Sequence, residues 1–203
     1  MDITYLGAGS VKLSGKNLNV ISDPLGAGKA DVVTLSGPAE AGEWPVLAGA
    51  MSIYSPGEYE VKGAMITGVP ARLHIDEDGY RSTVYSILID GVNVVIAGNI
   101  SGKLDAEQVE HLGQVDVLVV PVGGKGLTLD AEGAAAVVAQ LEPGYVVPVH
   151  YDDGVSKYPM PQDGVDLFLK EMGVNPEPES KLRVNSKEAP TETQVVVLTR
   201  AGS

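Results

Sequence analysis

Few side chains in this sequence have the means to bind a metal ion or to move a proton. There are three histidines, His74, His111 and His150, and no cysteine. A metal site must therefore use nitrogen and oxygen donors, and no thiolate nucleophile or disulfide framework is available. His150 closes the apolar run from Tyr145, at the carboxyl end of a predicted strand, where open sheets place their reactive groups. The plainer alternative is an imidazole satisfied by the backbone. His74 precedes the acidic stretch Ile75-Asp76-Glu77-Asp78-Gly79, a stretch that also reads as a solvated turn, and Asp152 follows soon after His150. Together His74, His150, Asp76 and Asp152 are the donors open to a single zinc or manganese ion. His111 falls inside a predicted helix, partly exposed and without a role.

Other chemistries fail on spacing. Gly26-Ala27-Gly28-Lys29 has the sound of a phosphate-binding loop, but the full pattern needs glycine at position 23 and serine or threonine at 30, where Asp23 and Ala30 stand. Gly7-Ala8-Gly9 fails the dinucleotide fingerprint because Lys12 holds the third glycine position, and no G-x-S-x-G elbow occurs. Gly123-Gly124-Lys125-Gly126 either offers backbone N–H groups to an anion or forms a plain turn. A formal net charge of −13 repels phosphate backbones and anionic membrane surfaces, so nucleic acid and membrane are not expected partners. The chain opens on strand residues with no basic and apolar leader, and no stretch approaches membrane-spanning length, so a cytoplasmic location is expected.

The elements that must position these groups come in two styles. The first half reads as short strands: Ile3 to Leu6, Val11 to Leu13, Leu18 to Ile21, Asp31 to Leu35, Ser52 to Tyr54, Glu58 to Val61, Ala64 to Thr67, Thr83 to Ile89 and Val92 to Ile96. Asp90-Gly91 predicts a type I′ hairpin between the last two. From there helices alternate with apolar runs. Asp105 is the predicted N-cap of a helix, with Gln108 closing a capping box, Leu104 and Val109 as a hydrophobic staple and Gly113 as its stop. Val115 to Val122 predicts a strand buried on both faces. Asp130 predicts the cap of a second helix reaching Leu141, Tyr145 to His150 the next strand, and Val165, Phe168, Leu169 and Met172 one face of a third helix. Residues 175 to 192 read as a surface connection to a closing strand, Gln194 to Leu198. The pattern predicts a layered α/β sandwich in one domain over residues 1–203.

Five phrases occur in an order that resembles one family: Ile3-Thr4-Tyr5-Leu6-Gly7, Ser22-Asp23-Pro24, Pro56-Gly57-Glu58-Tyr59-Glu60-Val61, Pro121-Val122-Gly123-Gly124 and Pro148-Val149-His150-Tyr151. Together they resemble the metallo-β-lactamase superfamily, in its branch of small zinc-dependent hydrolases similar to ascorbate-6-phosphate lactonase. The resemblance implies an αββα fold, two mixed sheets flanked by helices, with the active site along the sandwich edge. It also implies one or two metals held by an H-x-H-x-D-H motif, an early histidine, a later histidine, a bridging aspartate and a final histidine. At the motif positions this chain has Gly37, Ala39, Ala41 and Gly42; Ala8 stands for the early histidine and Asn99 for the bridging aspartate. His150 matches the final histidine and His74 approximately matches the later one.

Zinc needs three or four donors and, in such enzymes, its bound hydroxide is the nucleophile, so losing most donors removes affinity and chemistry together. The expectation is therefore a metal-free pseudoenzyme, with no cofactor and no catalytic residue, acting as a binding or assembly module for a small molecule or a protein, or for further copies of itself. If the vacated cleft stays open, Arg72, Arg81, Lys125 and Tyr151 are the candidates to contact its ligand. The alternative is a mononuclear hydrolase of a phosphosugar lactone or phosphoester, with His74, His150, Asp76 and Asp152 as ligands.

Overall fold

The structure is a computed structural model and describes residues 1–26, 28–38, 43–74, 79, 81–187 and 190–201. The early strands are β1 (Asp2–Gly7), β2 (Ser10–Ser14), β3 (Asn19–Ser22), β4 (Val32–Thr34) and β5 (Met51–Ile53). They are followed by β6 (Gly57–Val61), β7 (Ala64–Ala71), β8 (Ser82–Ile89) and β9 (Val92–Ile96). The second half adds α1 (Ala106–Leu112), β10 (Val117–Pro121), α2 (Ala131–Leu141), β11 (Tyr145–Val149), α3 (Val165–Glu171), β12 (Leu182–Arg183) and β13 (Gln194–Val195).

Two mixed sheets result. One has the order β12-β1-β2-β3-β4-β5 and the other β13-β11-β10-β9-β8-β7-β6. The pleat explains how they stack. Along β1 every second residue is buried, so Ile3 and Tyr5 point inward, where Val11 and Leu13 of β2 join them. They meet Ile66, Tyr85, Ile87 and Val94 from the facing sheet. The other face of that second sheet is equally apolar, because the helices lie on it: Leu112 of α1, Val137 of α2 and Phe168 of α3 pack with Val84, Val95 and Leu118. The outer face of the first sheet is covered more lightly, by Leu47 over Ile21 and Val33.

Local signals and structure agree at the helix starts and the hairpin. Asp105 accepts from the Gln108 amide at 2.8 Å, the Gln108 side chain accepts from the Asp105 amide at 2.7 Å, and Gly113 ends the helix at φ 65°. Asp130 accepts from the Gly133 amide at 2.8 Å. Asp90 and Gly91 take φ 54° and 76°, as a type I′ turn demands.

Two expectations need correction. The stretch read as a surface connection contains β12, which pairs antiparallel with β1 at Ile3 and Leu182. The closing strand stops early: only Gln194 and Val195 pair with β11, and the ladder ends after the Val196 amide donates to Val146 O at 2.8 Å. The next bond of a parallel ladder would come from the amide of residue 148, which is Pro148 and has no N–H.

Candidate active site

Six strand ends meet at one edge of the sandwich and enclose a cavity of about 200 Å³. Ala8 follows β1, Asp23 follows β3, Ser36 and Gly37 follow β4, Gly98 and Asn99 follow β9, Pro121 ends β10, and His150 follows β11. Three of these are non-glycine residues in the left-handed region: Ala8 at φ 45°, Asp23 at 47° and His150 at 53°. Each such conformation costs about 1 to 3 kcal/mol and persists only where the surroundings over-determine it.

The surroundings do so by hydrogen bonds. The buried Asp23 carboxylate accepts from the Ser36 amide and the Ser36 hydroxyl, both at 2.8 Å, and from the Ser22 hydroxyl at 3.4 Å. Ser36 in turn fits only because Gly98 faces it, since a Cβ on Gly98 would come within 2.5 Å of the Ser36 Cβ. The His150 amide donates to Ala8 O at 2.7 Å, and its ring lies 4.7 Å from that of Tyr158 at an angle of 46°. His150 is 2% exposed.

A second network pins the loop after β11 across the Ala8 turn. The Ala8 amide donates to Ser156 Oγ at 3.0 Å, and the Ser156 hydroxyl donates to Asp153 at 2.8 Å. The Tyr5 hydroxyl also donates to Asp153, at 3.2 Å. Burial pushes the Asp153 carboxyl upward, but donors from Ser156, Val155 and Tyr5 outweigh it and hold it below the ordinary carboxylate value. Burial raises the Tyr5 phenol, and raises Tyr151 to about 12 with Asp153 adding to the effect. This loop carries Lys157 to the cavity rim. On the side of β4, the Trp44 indole donates to Gly37 O at 2.9 Å, which places it against the cavity beside Glu43.

Of the positions picked out by sequence, Ala8, Gly37, Asn99 and His150 come together around the cavity. His74 adjoins them, its amide donating to Asn99 O at 2.8 Å, and its Nδ1 is buried without a hydrogen-bond partner among the described residues. Ala39, Ala41, Gly42 and Asp76 lie outside the described residues. The four side chains proposed as cleft contacts do not line the cavity. Arg72 lines a separate hollow with Ser101 and Lys103, and Lys125 turns away to pair with Asp163 at 2.9 Å. Tyr151 stacks on Tyr5 at 5.9 Å, and Arg81 contributes its carbonyl beside Gly37. Asp152 is exposed and accepts from the Gly154 amide at 3.0 Å.

Sequence reasoning missed Asp23, Ser36, Glu43, Trp44 and Lys157. Asp23 carried a signal, since it sits in one of the phrases that mark the resemblance. For Lys157 there was none, because a network through Ser156 brings it to the rim from a loop.

The donors described here do not fit the metal that such folds hold. Among the described residues no three His, Asp or Glu side chains converge, where zinc requires three or four ligands. Asp23 lines the cavity, but its oxygens already accept from Ser22 and Ser36.

A β-lactamase superfamily domain model matches residues 2–150. A UPF0173 metal-dependent hydrolase of Thermococcus onnurineus is 38% identical over 101 residues, 47% of this chain and 44% of that protein. The matched stretch thus spans under half the length of the curated relatives. A Thermotoga maritima structure, named as a Zn-dependent hydrolase of the metallo-β-lactamase superfamily, is 29% identical, covers 98% of both chains and has a TM-score of 0.77. A metallo hydrolase of Ignicoccus hospitalis shares the fold at 20% identity, with a TM-score of 0.64 over 91% of this chain and 99% of that one. Sequence match, sheet order and the placing of the cavity agree: this chain belongs to the metallo-β-lactamase superfamily.

Proposed function

We propose that this chain is a metal-free, non-hydrolytic member of its superfamily that uses the vacated cavity to bind a small molecule. The observation that carries the reading is the identity of the residues around that cavity. Ala8, Gly37 and Asn99 stand where the family pattern has two histidines and an aspartate, and His150 is the one imidazole in the lining among the described residues. Alanine and glycine donate nothing to a cation, and a neutral amide cannot offset the charge of two. The cavity is nevertheless retained, with three strained residues and two hydrogen-bond networks holding its walls. Such strain is a recurrent mark of functional sites.

One observation favours a second reading, a one-metal hydrolase: the buried His74 Nδ1 has no hydrogen-bond partner among the described residues. Purified protein assayed with a phosphosugar lactone and a phosphodiester, with and without added zinc or manganese, separates the two. No turnover in either condition is the expected result. Metal-dependent turnover, lost in His150→Ala while the fold is kept, would establish the hydrolase instead.

A further inference from the structure

Two edge strands of this chain carry opposite charge. β12 ends the first sheet and β6 ends the second, and among the described residues no strand pairs with the far side of either. They lie on opposite sides of the sandwich: β6 directly follows the edge strand β5, whereas Glu179, just before β12, bridges Leu198 beyond β13.

The bonds already made decide which backbone groups face outward. Lys62 and Gly63, at φ 49° and 80°, form a two-residue type I′ turn. Val61 and Ala64 therefore exchange both hydrogen bonds, as do Tyr59 and Ile66 two residues on. The N–H and C=O of Glu58 and Glu60 are left pointing away from β7. At the other edge Met1 and Val184 exchange both bonds, at 2.9 and 3.0 Å. Ile3 and Leu182 are the next such pair, so the N–H and C=O of Lys181 and Arg183 point away from β1.

Side chains sort the same way. Glu58 and Glu60 are exposed on one face of β6, and Tyr59 between them packs against the core. Among the described residues neither carboxylate has an ion-pair partner, since the neighbouring Lys62 is held by Asp31. On β12, Lys181 and Arg183 share the single carboxylate of Asp2, at 2.7 and 3.7 Å, while Leu182 is buried.

We propose that β6 of one copy pairs antiparallel with β12 of a second copy, joining the molecules head to tail. Glu58 then faces Arg183 of the second copy, Tyr59 faces Leu182 and Glu60 faces Lys181. Past the end of this ladder Lys62 comes alongside Glu179. Opposite charges directly across a strand pair stabilise it and like charges oppose it. Self-pairing is disfavoured on that ground: β6 on a second β6 sets glutamate against glutamate, and β12 on a second β12 sets cation against cation. The charges thus keep each edge from its own kind, as edge charges commonly do, and admit the other. One partner cannot meet both edges at once, so the assembly is open-ended. A ladder this short makes a weak, salt-sensitive contact. It lies apart from the cavity and is indifferent to whether the cavity holds a metal.

Sedimentation of the full chain over a range of concentrations reads the assembly. At about 10 mM salt the average mass is expected to climb past that of a pair. At about 1 M, where the Debye length shrinks from about 30 Å to about 3 Å, it should return to the monomer. Glu60→Pro removes an outward N–H that the fold does not use, which an edge strand tolerates, and should weaken association at least tenfold. Neither Glu58→Lys/Glu60→Lys nor Lys181→Glu/Arg183→Glu protein should assemble alone. An equimolar mixture of the two should, because each acidic edge then meets a basic one. A chain that stays monomeric at every concentration in low salt overturns the proposal, as does association that stops at two copies. Association that persists in folded Glu60→Pro and Glu58→Lys/Glu60→Lys proteins, or a folded mixture that fails to assemble, overturns it as well.

Discussion

At the scale of single residues the cavity is a place where backbone strain collects, with Ala8, Asp23 and His150 all left-handed. For Ala8 the strain is testable. An alanine in that region costs about 1 to 2 kcal/mol through its Cβ, and the greater chain entropy of glycine takes back about 0.5 to 1 kcal/mol. Ala8→Gly is therefore expected to leave stability unchanged or raise it by up to about 1.5 kcal/mol, measured by denaturant titration. A loss of more than about 1 kcal/mol would show that the methyl packs more than it strains. His150→Ala has the opposite sign. It removes a ring packed against Tyr158 at a position 2% exposed and leaves a cavity in its place, which costs roughly 1 to 3 kcal/mol. The sequence pointed to His150 through its place at a strand's end, yet its left-handed backbone was not legible, since histidine, though enriched at positive φ, adopts it only rarely.

At the scale of elements, what holds the site is how tightly one turn lies on another. Gly123 follows β10, and a Cβ on it would fall 2.3 Å from His150 O and 2.7 Å from Gln162 Oε1. The first of these is backbone and cannot swing aside, so Gly123→Ala must push β10 from the turn after β11; overpacking of this kind costs about 1 to 3 kcal/mol. A fall in the unfolding midpoint at unchanged slope is expected, and a neutral effect would mean the turn is softer than its contacts indicate. The loop after β11 should respond to pH instead. Asp153 has a folded-state pKa below its unfolded value, so its contribution is complete above the unfolded value, near 4, and is lost as pH falls through the folded one. Asp153→Asn should thus destabilise the protein at pH 7 and flatten the loss of stability below about pH 4. Elements governed by neighbours in the chain were legible: the Asp105–Gln108 box, the Asp130 cap and the Asp90-Gly91 hairpin. Elements governed by partners far along the chain were not. Leu182 and Arg183 form a strand only because Asp2 and Ile3 offer an edge, and the closing strand is cut short by Pro148 in a different strand.

At the scale of the whole molecule, the order of elements and the family phrases were enough to predict two stacked mixed sheets, because both are patterns of the entire chain. The cavity was legible only in part: its emptied positions could be matched one by one, but Trp44 and Lys157 reach it from long connections that no local pattern describes. The same positions yield a prediction for the molecule as a unit. A metal that binds the folded state at a hundred times its dissociation constant stabilises it by about 2.7 kcal/mol. For a domain of 150 to 250 residues each kcal/mol moves the melting temperature by about 2 to 4 °C. Stripping such a metal from this 203-residue chain would therefore lower its melting temperature by roughly 5 to 10 °C. With Ala8, Gly37 and Asn99 at positions where the family pattern has ligands, no such fall is expected: melting with and without a chelator should coincide, and elemental analysis should find well under one zinc or manganese per chain. A drop of that size with one metal per chain would instead identify His74 and His150 as surviving ligands, and His74→Ala should then remove the metal and the shift together.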